Sequence, residues 1–154
     1  MEGRIFQLNV SDGGVPKFAV REAVLTPEGL AGDRQRELRY HGGPERALCL
    51  LALERILELQ AEGHPIFPGS TGENLTVVGL DWSGVAPGAR LGLGAEALIE
   101  ITSYTAPCKK IAASFARGAF KRLSQKVHPG YSRLYGRVLR PGRLGVGQSV
   151  TLLS

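Results

Sequence analysis

Ala86-Pro87-Gly88-Ala89-Arg90-Leu91-Gly92-Leu93-Gly94 is echoed downstream by Arg140-Pro141-Gly142-Arg143-Leu144-Gly145-Val146-Gly147. In each stretch a Pro-Gly pair opens the phrase. Proline presets the first turn dihedral and glycine accepts the positive φ that follows. A short apolar run then begins at once, which is how a closed sheet turns a corner. The echo reads as a repeated turn, not a repeated domain. Working outward, Pro68-Gly69 and Pro129-Gly130 punctuate the chain in the same way. The segments between predict strands over Arg4 to Val10, Phe18 to Val24, Ala47 to Leu51, Asn74 to Val78, Arg90 to Leu93, Ala97 to Thr102, Tyr135 to Leu139 and Ser149 to Leu153. Two helices are expected, Leu53 to Glu62 and Lys109 to Gln125. Many short strands with few helices point to a mainly β barrel or sandwich and away from a βαβ array.

The chain has 154 residues, a length that suits one domain spanning residues 1–154 with a core of its own. Two cysteines do not make a disulfide framework, so a reducing compartment is expected. Met1 to Val10 alternates polar and apolar residues, unlike a signal peptide, and no apolar run is long enough to span a bilayer. A cytoplasmic protein without membrane contact is expected. Lys and Arg number 19 against 14 Asp and Glu, a net charge of +5. The basic residues crowd the C-terminal third at Arg117, Lys121, Arg122, Lys126, Arg133, Arg137, Arg140 and Arg143, with a smaller group at Arg34, Arg36 and Arg39. Such a surplus is read first as a solvated face and second as an attraction for a phosphate-bearing cofactor or substrate. Nucleic acid is an unlikely partner.

The chemistry concentrates in Tyr104-Thr105-Ala106-Pro107-Cys108-Lys109-Lys110. Thr105 and Pro107 favour a helix start, which predicts a sulfur at the N-terminus of the Lys109 to Gln125 helix. There the macrodipole, with Lys109 and Lys110, favours a thiolate and a lowered pKa. The alternative is a small apolar side chain sealing the start of that helix. Cys49, inside Ala47-Leu48-Cys49-Leu50-Leu51, is expected to be buried and inert.

Three loops accompany the thiol. His41-Gly42-Gly43-Pro44 could bring backbone N–H groups close to an anion. Gly69-Ser70-Thr71-Gly72-Glu73-Asn74 offers an acceptor and an amide to a polar guest, and His128-Pro129-Gly130-Tyr131 carries an imidazole on a turn. Gly92-Leu93-Gly94-Ala95-Glu96-Ala97 partly matches a dinucleotide fingerprint but runs into a strand, so the helix that receives the phosphate is missing. His41, His64, His128, Cys49 and Cys108 are scattered, without the spacing of a structural zinc site.

Taken in order, Gly32-Asp33, His41-Gly42-Gly43-Pro44, Gly69 to Leu75, Pro87-Gly88 and Thr102 to Lys110 around Cys108 resemble the MOSC family, named for the C-terminal domain of molybdenum cofactor sulfurases. The resemblance runs from about Leu30 to Val150 and is nearest to the short, stand-alone bacterial members. It implies a closed or nearly closed β-barrel with two or three helices. It also implies that Cys108 ligates molybdenum or carries sulfur as a persulfide, in support of reduction or sulfuration chemistry. His41, Gly42, Gly43, Glu73, Asn74, Lys109 and Lys110 are the matching candidates for holding the molybdenum-pterin cofactor (molybdopterin). The implied partners are that cofactor, a sulfur donor or acceptor protein, and an electron-transfer partner. Many relatives carry Arg where Thr105 stands, and Asp where Ala89 and Gln148 stand. The pyridoxal-phosphate domain of full-length sulfurases has no counterpart here, so pyridoxal phosphate is not expected.

Two other readings stay open. One is a non-catalytic binding module whose basic face, around Lys121 and Arg122, holds an anionic partner. The other is a thiol hydrolase pairing Cys108 with His41 or His128, for which no Cys-His signature exists.

Overall fold

The computed structural model describes residues 2–34 and 43–153. Its first strand shows how the sheet closes. Strand β1 (Glu2–Val10) is long enough to serve three neighbours. Its start pairs antiparallel with β11 (Ser149–Leu153), Gly3 opposite Val150. Its middle pairs on the other side with β6 (Leu75–Val78), and its end takes up β2 (Phe18–Val20) where β11 has left. From β11 the order continues through β7 (Arg90–Leu93), β8 (Ala97–Tyr104), β9 (Leu134–Arg140) and β5 (Leu48–Ala52) back to β6. Seven strands thus form a closed barrel. Closure leaves no free ladder of N–H and C=O groups, which an open sheet must protect. A small three-stranded sheet, β3 (Glu22–Thr26) between β4 (Gly29–Leu30) and β10 (Gly142–Gly145), packs beside it.

Side-chain alternation fills the interior. Ala97, Ile99 and Ile101 of β8 are buried while Leu98, Glu100 and Thr102 between them are partly exposed. They meet Ile5, Leu8, Leu48, Leu50, Leu75, Val77, Leu91, Leu93, Leu134 and Val150 in one cluster. Each fully buried aliphatic side chain contributes about 1.5–3 kcal/mol by leaving water. Strand β5 is buried along its whole length, as its continuous apolar run suggests. Leu48 and Leu50 face the barrel and Leu51 faces outward.

That outward face meets a second core. Helix α1 (Leu53–Ala61) carries β5 over to the parallel strand β6, and a parallel pair requires such a crossover. Ile56 and Leu59 of α1 pack with Leu51, Ile66, Ile111, Phe115 and Leu123. One βαβ unit therefore sits inside an otherwise antiparallel barrel.

The expected helix over Lys109 to Gln125 is corrected here. The segment is helical, but as three short 3₁₀ helices, Lys109–Ser114, Ala116–Gly118 and Phe120–Leu123. Phe115 is extended between the first two (φ −129, ψ 140), and Arg117 and Gly118 take positive φ. Burial decides it. Ile111, Phe115 and Leu123 all reach the second core only if the chain kinks, and the Ala116 N–H bonds His64 Nδ1 in place of a helical carbonyl.

Among the strands, β7 and β11 keep the expected bounds, and Phe18 to Val24 breaks at Arg21 into β2 and β3. Strands β4 and β10 were not expected. The turn expected at Pro141-Gly142 is corrected: Gly142 is already the first residue of β10, paired with Leu25, and Leu144 is buried opposite Ala23.

Candidate functional site

Strand β8 ends at Tyr104 and β9 begins opposite it, Tyr104 facing Leu134. The residues that follow β8 and precede β9 are held together by the Thr105 N–H donating to the Arg133 carbonyl at 2.9 Å. Beside them lie Cys49 of β5 and the Gly69 to Asn74 loop that leads into β6. These elements enclose a cleft of about 360 Å³. Cys108 lines it, half-buried, with extended backbone (φ −140, ψ 173) just before the first 3₁₀ helix. The residue therefore borders a cavity and is not sealed in the core. The long helix expected to bring a macrodipole to it is replaced by a six-residue 3₁₀ turn.

The floor of the cleft is polar and tightly bonded. Asn74 lines it, yet its amide is fully used: Oδ1 accepts from the Cys49 N–H at 3.0 Å, and Nδ2 donates to the Asn9 carbonyl at 3.3 Å and Asp33 Oδ2 at 2.9 Å. Asp33 Oδ1 in turn takes the Lys17 ammonium at 2.6 Å and the Ser11 N–H at 3.0 Å. This ion pair is almost wholly out of water, with side chains 10% and 4% exposed.

Glu73 does not line the cleft. It is fully buried behind the wall, with Oε2 accepting from the Gly69 N–H at 2.9 Å and Thr76 Oγ1 at 3.0 Å, and Oε1 from Thr71 Oγ1 at 2.9 Å. Burial pushes its carboxyl above the ordinary value, against those donors. Its work is to shape the loop. Gly69 in that loop has φ +89, and a Cβ there would lie 2.6 Å from the Lys17 carbonyl oxygen. Gly72, on the cleft wall, has φ +88 and would bring a Cβ to 3.0 Å from Val15 Cγ1. Glycine at both lets two loops touch.

Of the remaining candidates, Lys110 lines the cleft and is exposed, while Lys109 is exposed and lies outside the lining. Gly43 precedes the short turn Pro44–Arg46 with φ 80, exposed and outside the cleft lining. His41 and Gly42 lie outside the described residues. His128 lines a different cavity, of about 310 Å³, together with His64 and Arg122. No described histidine lines the cleft with Cys108, so the hydrolase pairing with His128 is not formed. The basic face is also less free than its sequence implied. Arg122 bonds Glu62 through Nε at 2.9 Å and Nη2 at 2.7 Å and stacks on Tyr131, and Arg137 bonds Glu100 at 2.6 Å.

Among the lining residues that escaped the sequence reading as cleft groups are Lys17, Cys49, Arg133 and Tyr135, together with Gly13 and Gly14. Cys49 is buried as expected, with Sγ 3.8 Å from Thr105 Oγ1. Burial pushes its thiol up, with Arg133 pulling the other way, so it stays protonated. Burial likewise pushes the Tyr135 phenol up to about 12, aided by Cys49 and opposed by Arg133. A neutral thiol, a phenol donor and a guanidinium thus share the floor beneath Cys108. No sequence signal marked Arg133: it is the charge in a run, Ser132 to Gly136, whose burial shows only in the fold.

Comparison with known proteins agrees with this fold. The family profile described as the MOSC domain matches residues 37–151. The uncharacterized protein YflK of Bacillus subtilis (strain 168) is 34% identical over 143 residues, which are 92% of this chain and 63% of that protein. Protein YiiM of Escherichia coli (strain K12) is 34% identical over 137 residues, 86% of this chain and 60% of its own length. The crystal structure of YiiM from Escherichia coli superposes with a TM-score of 0.72 at 28% identity, covering 100% of this chain and 70% of that one. A reductase of Gibberella moniliformis (strain M3125 / FGSC 7600) is 29% identical over 130 residues, 81% of this chain but 22% of that protein. The chain thus spans about three fifths of the length of YflK and YiiM. Among the described residues, no helix is long and apolar enough to cross a membrane.

Proposed function

The chain belongs to the MOSC domain family, and from that premise we propose that Cys108 is the working group of the cleft, either as a ligand to the molybdenum of a molybdenum-pterin cofactor or as a sulfur carrier. The observation that carries this reading is a half-buried cysteine lining the 360 Å³ cleft, while the second lining cysteine, Cys49, is buried.

The residues present fit such a group. A thiolate is a soft donor suited to molybdenum. Among the described residues, no three His, Cys, Asp or Glu gather as a cage. A metal held here would therefore take one protein sulfur and bring its other ligands with it. Gly72 leaves the cleft wall without a side chain, and Gly13 and Gly14 line it with backbone at φ 98 and 81, so no side chain there stands between the wall and a guest. Lys110 adds positive charge at the exposed edge. Asn74, on the lining, ties β5 to β1 and Asp33, and Glu73, behind the wall, fixes the loop. His41, Gly42, Gly43 and Lys109 stay cofactor candidates on the family resemblance alone, Gly43 and Lys109 standing outside the cleft lining and His41 and Gly42 outside the described residues. When bound, the cofactor would supply the redox chemistry at its metal, in support of a reductase-type or sulfuration reaction with an electron-transfer or sulfur-transfer partner protein.

In the carrier role the balance is simple. The Cys108 thiolate attacks the outer sulfur of a persulfide donor, the donor S–S bond breaks, and the donor thiolate departs with the electron pair. Cys108 is left as the persulfide, ready to pass that sulfur on by the same exchange.

The test is to produce the protein in cells with and without molybdenum cofactor supply. Molybdenum is measured by elemental mass spectrometry, pterin by fluorescence after oxidation, and Cys108 by intact mass. Bound molybdenum with pterin, or one added sulfur atom on Cys108, is expected in the wild type and absent from Cys108→Ser. Neither in the wild type overturns the proposal.

A further inference from the structure

Arg133 is only 5% exposed, lines the cleft that holds Cys108, and makes no ion pair among the described residues. Its Nη1 donates to the Thr71 carbonyl at 2.6 Å, but its Nε–H is buried without a partner among the described residues. A guanidinium cannot discharge itself by losing a proton, so a buried and half-satisfied one costs the fold stability unless something fills the vacancy. The nearby acids do not. Asp33 is spent on Lys17, Ser11 and Asn74, and Glu73 is spent on Gly69, Thr71 and Thr76, reaching Arg133 only through Thr71.

We propose that Arg133 is the anchor of an oxyanion subsite in the floor of the Cys108 cleft, taking a small tetrahedral oxyanion or the terminal phosphate of a larger guest. A planar fork with a free Nε–H matches two oxygens of such a group. The setting favours the same guest. Lys110 and Arg34 stand exposed on the lining, the latter only loosely held by Asp12 at 3.6 Å, and they would draw an anion inward. Below them, Tyr135 keeps its phenolic proton and Cys49 its thiol proton, so neither adds negative charge to the floor. The subsite shares the cleft of the preceding proposal but needs neither molybdenum nor a persulfide on Cys108, so either can fail alone.

The test uses cofactor-free protein and two probes at constant ionic strength balanced with chloride: inorganic sulfate for a free oxyanion, and phenyl phosphate for a phosphate carried on a larger guest. Calorimetry should show binding of at least one, and whichever binds more tightly identifies the source. Arg133→Lys, which keeps the charge and loses the fork, should weaken it by about tenfold or more, whereas Lys110→Met should weaken it less. Should Arg133→Lys fail to fold, the wild type answers by itself. In a proton–nitrogen correlation spectrum the buried Arg133 Nε–H should move as the bound probe saturates. Absence of binding by both probes, binding indifferent to Arg133→Lys, or a stationary Nε–H at saturation overturns the inference.

Discussion

Replacing Asp33 by Asn removes one charge from a pair that the fold has taken out of water. In the native protein the two Asp33 oxygens accept from Lys17 Nζ at 2.6 Å, the Ser11 N–H at 3.0 Å and Asn74 Nδ2 at 2.9 Å. An amide cannot repeat this. Turned one way, its NH₂ meets the Asn74 NH₂; turned the other, it meets the Lys17 ammonium. Lys17, with its side chain 10% exposed, is then left as an uncompensated buried cation. Breaking a buried pair from one side costs about 3–5 kcal/mol. For a chain of this size each kcal/mol lowers Tm by about 2–4 °C, so a fall of roughly 10 °C is expected. Urea and thermal melts of Asp33→Asn, of Lys17→Met and of the double variant make the measurement a cycle. The double variant removes both charges, so it should be less damaging than the two single losses added together, by roughly 2 kcal/mol. If Asp33→Asn melts within about 0.5 kcal/mol of the wild type, or if the losses simply add, the reasoning from a buried, mutually dependent Lys17–Asp33 pair is refuted.

Native protein treated with iodoacetamide should be alkylated at Cys108, which is half-buried on the cleft lining, while Cys49 reacts only once the chain is unfolded, being 7% exposed with its thiol pushed up by burial; peptide mass mapping that finds both labelled at one rate contradicts this. Glu73 should make stability depend on pH with a definite sign. Its folded carboxyl titrates above 4.5, so the native state holds that proton more tightly than the unfolded chain, and stability drops as pH rises from 4.5 through the folded value. Urea midpoints across that range, wild type minus Glu73→Gln, should fall with pH, and a flat or rising difference refutes the assignment.

The fold was legible wherever the signal is local. The turn at Pro87-Gly88 with alternating apolar residues places β7 to the residue, and alternation alone does so for β11, because turn dihedrals and strand period are properties of short segments. Two features depended on distant partners instead. β10 is a strand only because β3 lies beside it, so its Gly-rich sequence reads as a turn. The Lys109 to Gln125 segment is rich in good helix formers, yet it surrenders the α-helix to bury Ile111, Phe115 and Leu123 against α1. A gain of about 1.5–3 kcal/mol for each buried side chain outweighs a few tenths per residue of helix preference.

The candidate site obeys the same division, and its consequence is sharper. Residue type is enough to nominate Asn74 and Glu73 as polar groups near a cleft, since both follow a Gly-flanked loop into a strand. What they do is set by whether their atoms are already taken, and every donor of Asn74 and both oxygens of Glu73 are bonded within the protein. Arg133 is the converse. In sequence it is one basic residue in a crowded basic third, indistinguishable from Arg122 or Arg137, which end in ion pairs with Glu62 and Glu100. Only the third dimension separates them, because Arg133 alone of the three is buried with no described carboxylate beside it. A group already paired inside the fold has little left to offer a guest, whereas the buried and unpartnered Nε–H of Arg133 is the polar atom of this cleft whose partner must come from outside the described chain.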